Sequence, residues 1–335
     1  TKNLDDVYMF NANQKAPDAT VNLGGGVTRP SYSSSAARKL NSQSGNAIVL
    51  ENTGMGYSFA ATAQISKAFS KAFFGQLAYT YTLAADVTAN PGSQATSVWS
   101  ANPTSLTQND LELSYSNFMV PHRIVANLSY RVEYIKHLAT TISLFYQGSS
   151  WANYTFVYNG DVNNDGNSAD LMYIPKDASE ISFLPYTTGG VTFTAQQQSD
   201  AFFKYIDQNK YLSKHKGQVA ERYAARYPFY HRLDLKLTQD IFTNIGGRRN
   251  TLQISANLVN ALNFVNRDWG ISKILNANAA NPLKFVNNNG GHANFNFASY
   301  KPAGASAPIL LDKTYLNNSS VNTTWSLLLG LRYIF

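Results

Sequence analysis

The last ten residues of the chain alternate strictly between two kinds of side chain. Every second position is apolar, and these positions are Leu327, Leu329, Leu331, Tyr333 and Phe335. Because successive side chains of a β-strand point to opposite faces, the pattern predicts a strand with one apolar face. A strand of about ten residues that ends on an aromatic is typical of the closing strand of an outer-membrane β-barrel. The alternative is the edge strand of a soluble sandwich.

Six further segments show the same two-residue period, and they are 57–66, 73–83, 124–134, 138–146, 233–241 and 252–258. In the segment 124–134, Ile124 and Leu128 lie on one predicted face, while Asn127 and Arg131 lie on the other. A polar face opposite an apolar one indicates a barrel with a wet lumen, the reverse of a soluble barrel. Residues 7–10 are predicted to end an additional, earlier strand.

Short and long connections alternate between these predicted strands. The short turns are 67–71, 135–137 and 243–250, and the long loops are about 86–120, 147–230 and 263–320. Outer-membrane barrels combine short periplasmic turns with long extracellular loops, whereas a soluble sandwich has no reason to do so. We therefore predict an all-β, transmembrane antiparallel β-barrel. Its loops are expected to be irregular, apart from one short helix that begins at the capping box Thr194-x-x-Gln197.

Composition narrows the classes of function. The chain has 335 residues, no cysteine, 13% aromatic and only 14% charged residues. No window of about 20 apolar residues is present, so no transmembrane helix is expected. The net charge of +7 is spread along the chain rather than concentrated in one stripe, so no nucleic-acid partner is expected. No nucleophile–base motif is present, and we expect no enzyme; the alternative is a loop-borne hydrolase.

Several stretches carry a family resemblance, and they are 161–175, 176–180, 227–240, 257–264 and the closing Leu-Gly-Leu-Arg-Tyr-Ile-Phe. In this order they resemble TonB-dependent outer-membrane transporters of Bacteroidetes type, closest to the Oar-like branch that is related to the SusC and RagA group. The resemblance covers about residues 45–335. It implies a 22-stranded barrel around an N-terminal plug. Residues 1–335 would then be the C-terminal part of the barrel, with about the last seven strands, and the plug and earlier strands would lie outside this chain.

The resemblance also implies a function and a set of partners. Transporters of this kind import a nutrient ligand (a peptide, a glycan or a chelate) into the periplasm, driven by the TonB–ExbB–ExbD complex. The expected partners are the lipid bilayer, lipopolysaccharide, the remaining barrel strands with the plug, and a surface lipoprotein lid. Because seven strands leave two unpaired sheet edges, we expect this part to be stable only with the remaining strands. The alternatives are a passive porin, an adhesin, or a small eight-stranded barrel.

The longest loop contains two candidate sites. Asp161, Asn163, Asp165 and Asn167 occupy positions 1, 3, 5 and 7 of a D-x-N-x-D-G segment, the pattern that surrounds Ca²⁺ with hard oxygen ligands. Position 12 is Met172 rather than Glu, so Asp170 is the nearest replacement; the alternative is an ordinary Asn/Asp-Gly turn. The second candidate is an aromatic cluster that would either contact substrate or pack the loop, and it consists of Trp151, Tyr154, Phe156 and Tyr158.

Overall fold

The computed structural model describes residues 6–70, 72–88, 92–150, 152–245, 248–321 and 323–335. β-Strands account for 49% of the structure. Within the described ranges, none of the helices combines the length and the apolar character that a membrane crossing requires. The chain is therefore all-β in class, with short helices only in the connections.

The first half of the chain contains β1 (Asp6–Asn11), β2 (Ala19–Gly24), β3 (Val27–Ser31), β4 (Ile48–Thr53), β5 (Tyr57–Ala68), β6 (Phe73–Asp86), α1 (Ala95–Ala101), β7 (Ser114–Tyr115), β8 (His122–Tyr134), β9 (Leu138–Ser149) and β10 (Asn153–Tyr154). The second half contains β11 (Tyr173–Ile174), β12 (Ser182–Phe183), β13 (Tyr186–Thr188), β14 (Val191–Phe193), α2 (Ala195–Gln208), β15 (Gln218–Val219), β16 (Ala225–Arg226), β17 (Tyr230–Ile245), β18 (Arg248–Val259), α3 (Ala261–Val265), β19 (Lys273–Leu275), β20 (Leu283–Asn289), β21 (His292–Phe297), β22 (Ser299–Tyr300), β23 (Ile309–Leu310), β24 (Tyr315–Asn317) and β25 (Ser326–Ile334). Two 3₁₀ turns cover Ala178–Glu180 and Leu212–Lys214.

Seven long strands form one antiparallel meander in the order β5-β6-β8-β9-β17-β18-β25, and β7 adds a short pairing to β6. All seven strands predicted from the sequence are confirmed, and the predicted strand end at residues 7–10 is β1. Among the described residues, β5 pairs only with β6 and β25 only with β18. The antiparallel sheet is thus established, while its closure into a barrel remains a prediction.

Strand register gathers the apolar residues on one face of this sheet. A single row across five strands consists of Leu128, Leu144, Leu235, Leu258 and Leu327. This face is open: Leu329 and Leu331 are 78% and 74% exposed. On the opposite face, Arg131 forms an ion pair with Asp240 at 2.7 Å. The two faces differ as the sequence predicts.

The connections at the two ends of the strands differ sharply in length. At one end, β5–β6 and β8–β9 are joined by residues 69–72 and 135–137, and two residues separate β17 from β18. At the other end, the connections span 87–121, 150–229 and 260–325. The predicted alternation of short turns and long loops is confirmed.

The long loops are not irregular, so that expectation is wrong. They contain β12, β20 and β21, which form one sheet with β2 and β3 of the N-terminal segment, and α2 packs against β12 and β21. Phe156, Phe202, Ile206 and Phe297 belong to a shared hydrophobic core and are fully buried. We call this assembly the loop region. Its strands are two to seven residues long, too short for a visible sequence period.

The predicted capping box at the start of α2 is confirmed. The Thr194 hydroxyl accepts a hydrogen bond from the Gln197 backbone N–H at 3.2 Å, and the Gln197 side chain accepts one from the Thr194 N–H at 2.9 Å. The helix then buries Gln198, Phe202 and Ile206, which recur at a spacing of four residues on one face. The capping residues therefore orient the helix that closes the loop core.

Candidate functional site

The predicted aromatic cluster lies in the core of the loop region. Trp151 is outside the described residues. Tyr154 packs edge-on against Phe156, with ring centroids 5.2 Å apart, and Tyr158 stacks on Phe295 at 5.0 Å. These three rings of the cluster are buried, so they pack the loop rather than line an open surface. Their contact with a substrate stays a prediction.

The D-x-N-x-D-G segment is a tight loop closed on its own oxygens. The two carboxylate oxygens of Asp161 accept hydrogen bonds from the backbone N–H groups of Asp165 at 3.1 Å and Gly166 at 2.7 Å. Gly166 has φ = +95°, a conformation that favours glycine. One Asp165 oxygen accepts the Asn167 N–H at 2.8 Å. Asn163 and Asp165 are buried, so their oxygens are held in the interior of the loop region.

Asp170 already has partners within the protein. One of its oxygens forms an ion pair with Arg29 at 2.7 Å, and the other accepts the Val162 N–H at 2.8 Å. Both members of the pair are almost completely buried. Arg29, which lies on β3, also donates to the carbonyl of Thr104 at 2.7 Å. Asp170 therefore ties β3 of the N-terminal segment to the longest loop, beside the D-x-N-x-D-G segment.

The donor set of this segment fits a hard cation, although it is poor in carboxylates. No three His, Asp or Glu side chains of the described residues are grouped so that they could hold a metal ion. The set that remains is two carboxylates and two amides, from Asp161, Asn163, Asp165 and Asn167. The buried amide nitrogen of Asn167 has no hydrogen-bond partner among the described residues, and as a donor it is not itself a metal ligand. Such an all-oxygen set suits Ca²⁺ better than a softer metal.

The electrostatics of the segment also favour a bound cation. Burial raises the pKa values of Asp161, Asp165 and Asp170, and the charge of Asp165 adds to the shift at the other two. Only Asp170 has a buried arginine within ion-pair distance. The guanidinium of Arg38 lies beside Gly166 and lowers the pKa of Asp161 to a smaller extent. The charge of Arg29 likewise lowers the pKa of Asp165, but the two arginines offset only part of the effect of burial, and the pKa values of Asp161 and Asp165 stay raised.

A cavity of about 630 Å³ lies where the loop region meets the main sheet, and we call it the rim cleft. Its lining combines cationic side chains with aromatic rings, of which Lys210, Lys214, Arg226, Tyr211, Tyr227 and Tyr315 matter most. Burial raises the pKa values of Tyr211 and Tyr315 to about 12, so both hydroxyls stay neutral. None of the described side chains that line the cleft is a carboxylate.

The register of the strands fixes the face on which the rim cleft opens. Its lining includes His122 and Phe229, at the loop ends of β8 and β17. His122 pairs with Tyr81 and is hydrogen-bonded to the Tyr79 hydroxyl at 2.8 Å, so it belongs to the apolar face. Phe229 packs near His231, which is bonded to the Tyr146 hydroxyl at 2.7 Å on the same face. The cleft therefore opens just above the apolar face.

Sequence reasoning did not find the cationic residues of this cleft. A signal was present, since Lys210 and Tyr211 are followed four residues later by Lys214 and His215. In the structure Tyr211 and His215 stack with centroids 4.2 Å apart. The contribution of Arg226 and Tyr315 had no local signal, because both come from distant segments.

Comparison of the chain with protein-family models, with curated proteins and with solved structures finds no match. The proposed function therefore rests on the fold and on the geometry of the candidate sites.

Proposed function

We propose that the chain is the C-terminal part of an outer-membrane β-barrel that actively imports a nutrient ligand. The observation that carries this proposal is the seven-stranded meander, in which a continuous apolar face is exposed and the opposite face is polar. Exposed leucine rows destabilise a sheet in water, whereas hydrocarbon accommodates them. All three long connections lie at the same end of the strands, which supports placement of the sheet in an outer membrane.

The two outer edges of the sheet favour a larger assembly. Among the described strands, β5 is paired on one side only, with β6, and β25 on one side only, with β18. Hydrocarbon does not tolerate unpaired backbone N–H and C=O groups. The proposed barrel therefore includes further strands that pair with both edges, and its folded loop region is the part that would meet a ligand outside the cell.

Site-directed labelling tests the membrane placement. The chain has no cysteine, so one introduced cysteine reports on one position. In intact cells, a membrane-impermeant maleimide should label Lys313→Cys in the last long loop but not Thr243→Cys near a short turn. Permeabilised cells should show both labels. Labelling of both positions in intact cells, or of neither, contradicts the proposed topology.

Energy dependence distinguishes an active importer from a passive porin. Cells that contain the complete protein are given a mixture of peptides and glycans, and depletion of each compound from the medium is followed by mass spectrometry. A proton-gradient uncoupler, or loss of TonB, should abolish the depletion that depends on this protein. Uptake that persists under both treatments identifies a passive barrel instead.

We also propose that Asp161, Asn163, Asp165 and Asn167 bind a calcium ion that stabilises the loop region. The burial of Asp161 and Asp165 within one tight loop, which raises the pKa values of both carboxyls, supports this assignment. Calcium would supply the positive charge that these carboxylates lack, and Asp170 would stay paired with Arg29. Extracellular calcium sites have Kd values of about 10⁻⁴–10⁻³ M, which suits a loop outside the cell.

A further inference from the structure

We propose that Asn289 is a site of spontaneous deamidation, and that the reaction releases β2 from the sheet of the loop region. The chemistry requires no enzyme, because the backbone nitrogen of Gly290 follows the Asn289 side chain directly in the sequence. Glycine has no Cβ, so it leaves this nitrogen unshielded. The inference goes beyond the proposed transport function and does not depend on the membrane placement.

The reaction has two steps and consumes one water molecule. In the first step, the Gly290 nitrogen loses its proton to solvent hydroxide and attacks Cγ of Asn289. A bond forms between these two atoms, the bond from Cγ to Nδ2 breaks, and ammonia leaves with a proton taken from water. In the second step, water adds to one carbonyl carbon of the resulting succinimide and opens the ring. One carbonyl gives aspartate, and the other gives isoaspartate, whose main chain contains one additional methylene.

The turn between β20 and β21 leaves Asn289 and Gly290 free to react. Asn289 is the last residue of β20 and pairs with His292 across the turn. Gly290 and Gly291 have φ values of +60° and +85°, and nothing lies within 4 Å of the position of a Cβ on either. The Gly290 N–H donates no backbone hydrogen bond to a described residue. Because the end pair of a ladder opens most easily, local fraying brings the side chain and the attacking nitrogen together.

The chain contains a second Asn–Gly pair, Asn159–Gly160, which provides an internal comparison. The Asn159 N–H donates to the Leu283 carbonyl at 2.8 Å, and the Asn159 carbonyl accepts the Phe285 N–H at 3.0 Å. Gly160 also lies against Phe285, because a Cβ on Gly160 would be 3.5 Å from the Phe285 Cβ. Rotation of the Gly160 nitrogen towards the Asn159 side chain would break the bond to the Asn159 carbonyl. Asn289 should therefore react faster than Asn159 in the folded protein.

The reactive turn lies where β2 joins the sheet of the loop region. Among the described residues, β2 pairs with β21 through Asn22 and His292 alone. The Asn22 N–H donates to the Gly291 carbonyl at 2.7 Å. Isoaspartate at position 289 would lengthen the main chain directly before Gly290 and move the Gly291 carbonyl away from Asn22. Loss of this hydrogen bond would release β2 from β21.

Ageing of the complete protein in detergent tests the reaction by peptide mass spectrometry. The protein is incubated at mildly alkaline pH and digested at acidic pH in heavy-oxygen water, which marks any deamidation that occurs during digestion. Fragmentation of the peptides locates each converted residue and separates aspartate from isoaspartate. In the folded protein, Asn289 should convert about tenfold faster than Asn159. In urea the two residues should convert at similar rates, because only the folded structure distinguishes them.

Hydrogen exchange at the Asn22 amide tests the release of β2. The variant N289Q blocks the reaction, because attack on the longer glutamine side chain forms a larger ring much more slowly. N288Q is the matched control, since Asn288 is an exposed neighbour that is not followed by glycine. Exchange at Asn22 should become about fivefold faster in aged wild type and aged N288Q, which corresponds to the loss of one hydrogen bond. Aged N289Q should keep the rate of fresh protein.

Two results would overturn the deamidation site, namely equal conversion of Asn289 and Asn159 in the folded protein, or conversion of Asn289 only after unfolding. Unchanged exchange at Asn22 in fully converted protein would overturn the release of β2. Exchange that becomes faster in aged N289Q as well would assign the loosening to a different ageing reaction, and the proposed link between Asn289 and β2 would then be wrong.

Discussion

The main sheet is antiparallel throughout and the sheet of the loop region is mixed, and the two regions place their apolar residues in opposite ways. In the sheet, Leu329 is 78% exposed, and its neighbours form rows on an open face. In the loop region, Phe202 is 0% exposed and lies in a shared core. The loop region therefore buries its own hydrophobic surface, whereas the sheet depends on an apolar medium or partner outside the chain. One chain thus combines two different sources of stability.

The sharpest way to test this contrast is to remove one large ring from the loop core. Phe202→Ala should destabilise the loop region by about 3–5 kcal/mol, because a buried Phe loses both its transfer free energy and its packing. The measurement is limited proteolysis of the complete protein in detergent. Cleavage within 150–229 should become much faster, while the strands of the main sheet stay protected.

Leu329→Ala is the matched control for this experiment. It removes an apolar side chain that lies on the open face of β25 and has no part in the loop core. Proteolysis of the loops should be unchanged in this variant. If the two substitutions accelerated loop cleavage equally, the sheet and the loop region would form a single cooperative unit and would not have separate sources of stability.

A second test places one charge on each face of the same strand. Leu128→Arg introduces a cation in the middle of the apolar face, where it should cost about 2–4 kcal/mol at the centre of a bilayer. Ser129→Arg introduces it on the polar face, which already holds Arg131. Outer-membrane assembly, followed by heat-dependent migration on SDS gels, should fail or slow for Leu128→Arg alone. Equal assembly of both variants would argue against a lipid-facing leucine row.

The sheet was predictable from the sequence because its signals are local. Alternation over about seven to eleven residues identifies each strand, and the lengths of the connections identify the two ends of the strands. The helix start at Thr194 was also predictable, since a capping box spans only four residues. In each case the residues that carry the signal are neighbours in the chain.

The loop core and the rim cleft were not predictable, because their contacts join distant segments. The Tyr154 and Tyr315 hydroxyls are 2.8 Å apart in space and 161 positions apart in sequence. Arg29 is paired with Asp170 from another loop. Neither contact leaves a periodic pattern. The D-x-N-x-D-G segment was found because its donors are local, but the partner of Asp170 was not.

Calcium is expected to stabilise the loop region. At about 10 mM Ca²⁺, a site with a Kd of about 10⁻⁴–10⁻³ M should stabilise the loop region by about 1.4–2.7 kcal/mol. Addition of EDTA should remove this protection and accelerate proteolysis near residues 160–175. The double variant D161N/D165N should be cleaved at the same rate with and without calcium.

Asp268→Asn is the matched control for calcium binding, because Asp268 is an exposed carboxylate in another loop. This variant should keep the full difference between calcium and EDTA. A wild-type cleavage pattern that does not respond to EDTA would show that the segment is an ordinary turn. Because the main sheet contains none of the proposed ligands, its protection should not change in any of these samples.

The smallest expected effect is the loss of the cap of α2. Thr194→Ala removes the hydroxyl that accepts the Gln197 N–H, and an N-cap of this type contributes about 1 kcal/mol. Hydrogen exchange at the Gln197 amide should therefore become about fivefold faster, while amides in the middle of β8 and β17 are unaffected. Thr194→Ser keeps the acceptor and should restore the wild-type rate, and Thr192→Ala, an exposed threonine on β14, should leave it unchanged. If Thr194→Ala leaves exchange at Gln197 unchanged, tertiary packing of the Phe202 face alone holds the first turn, and the local capping signal in the sequence has no energetic role.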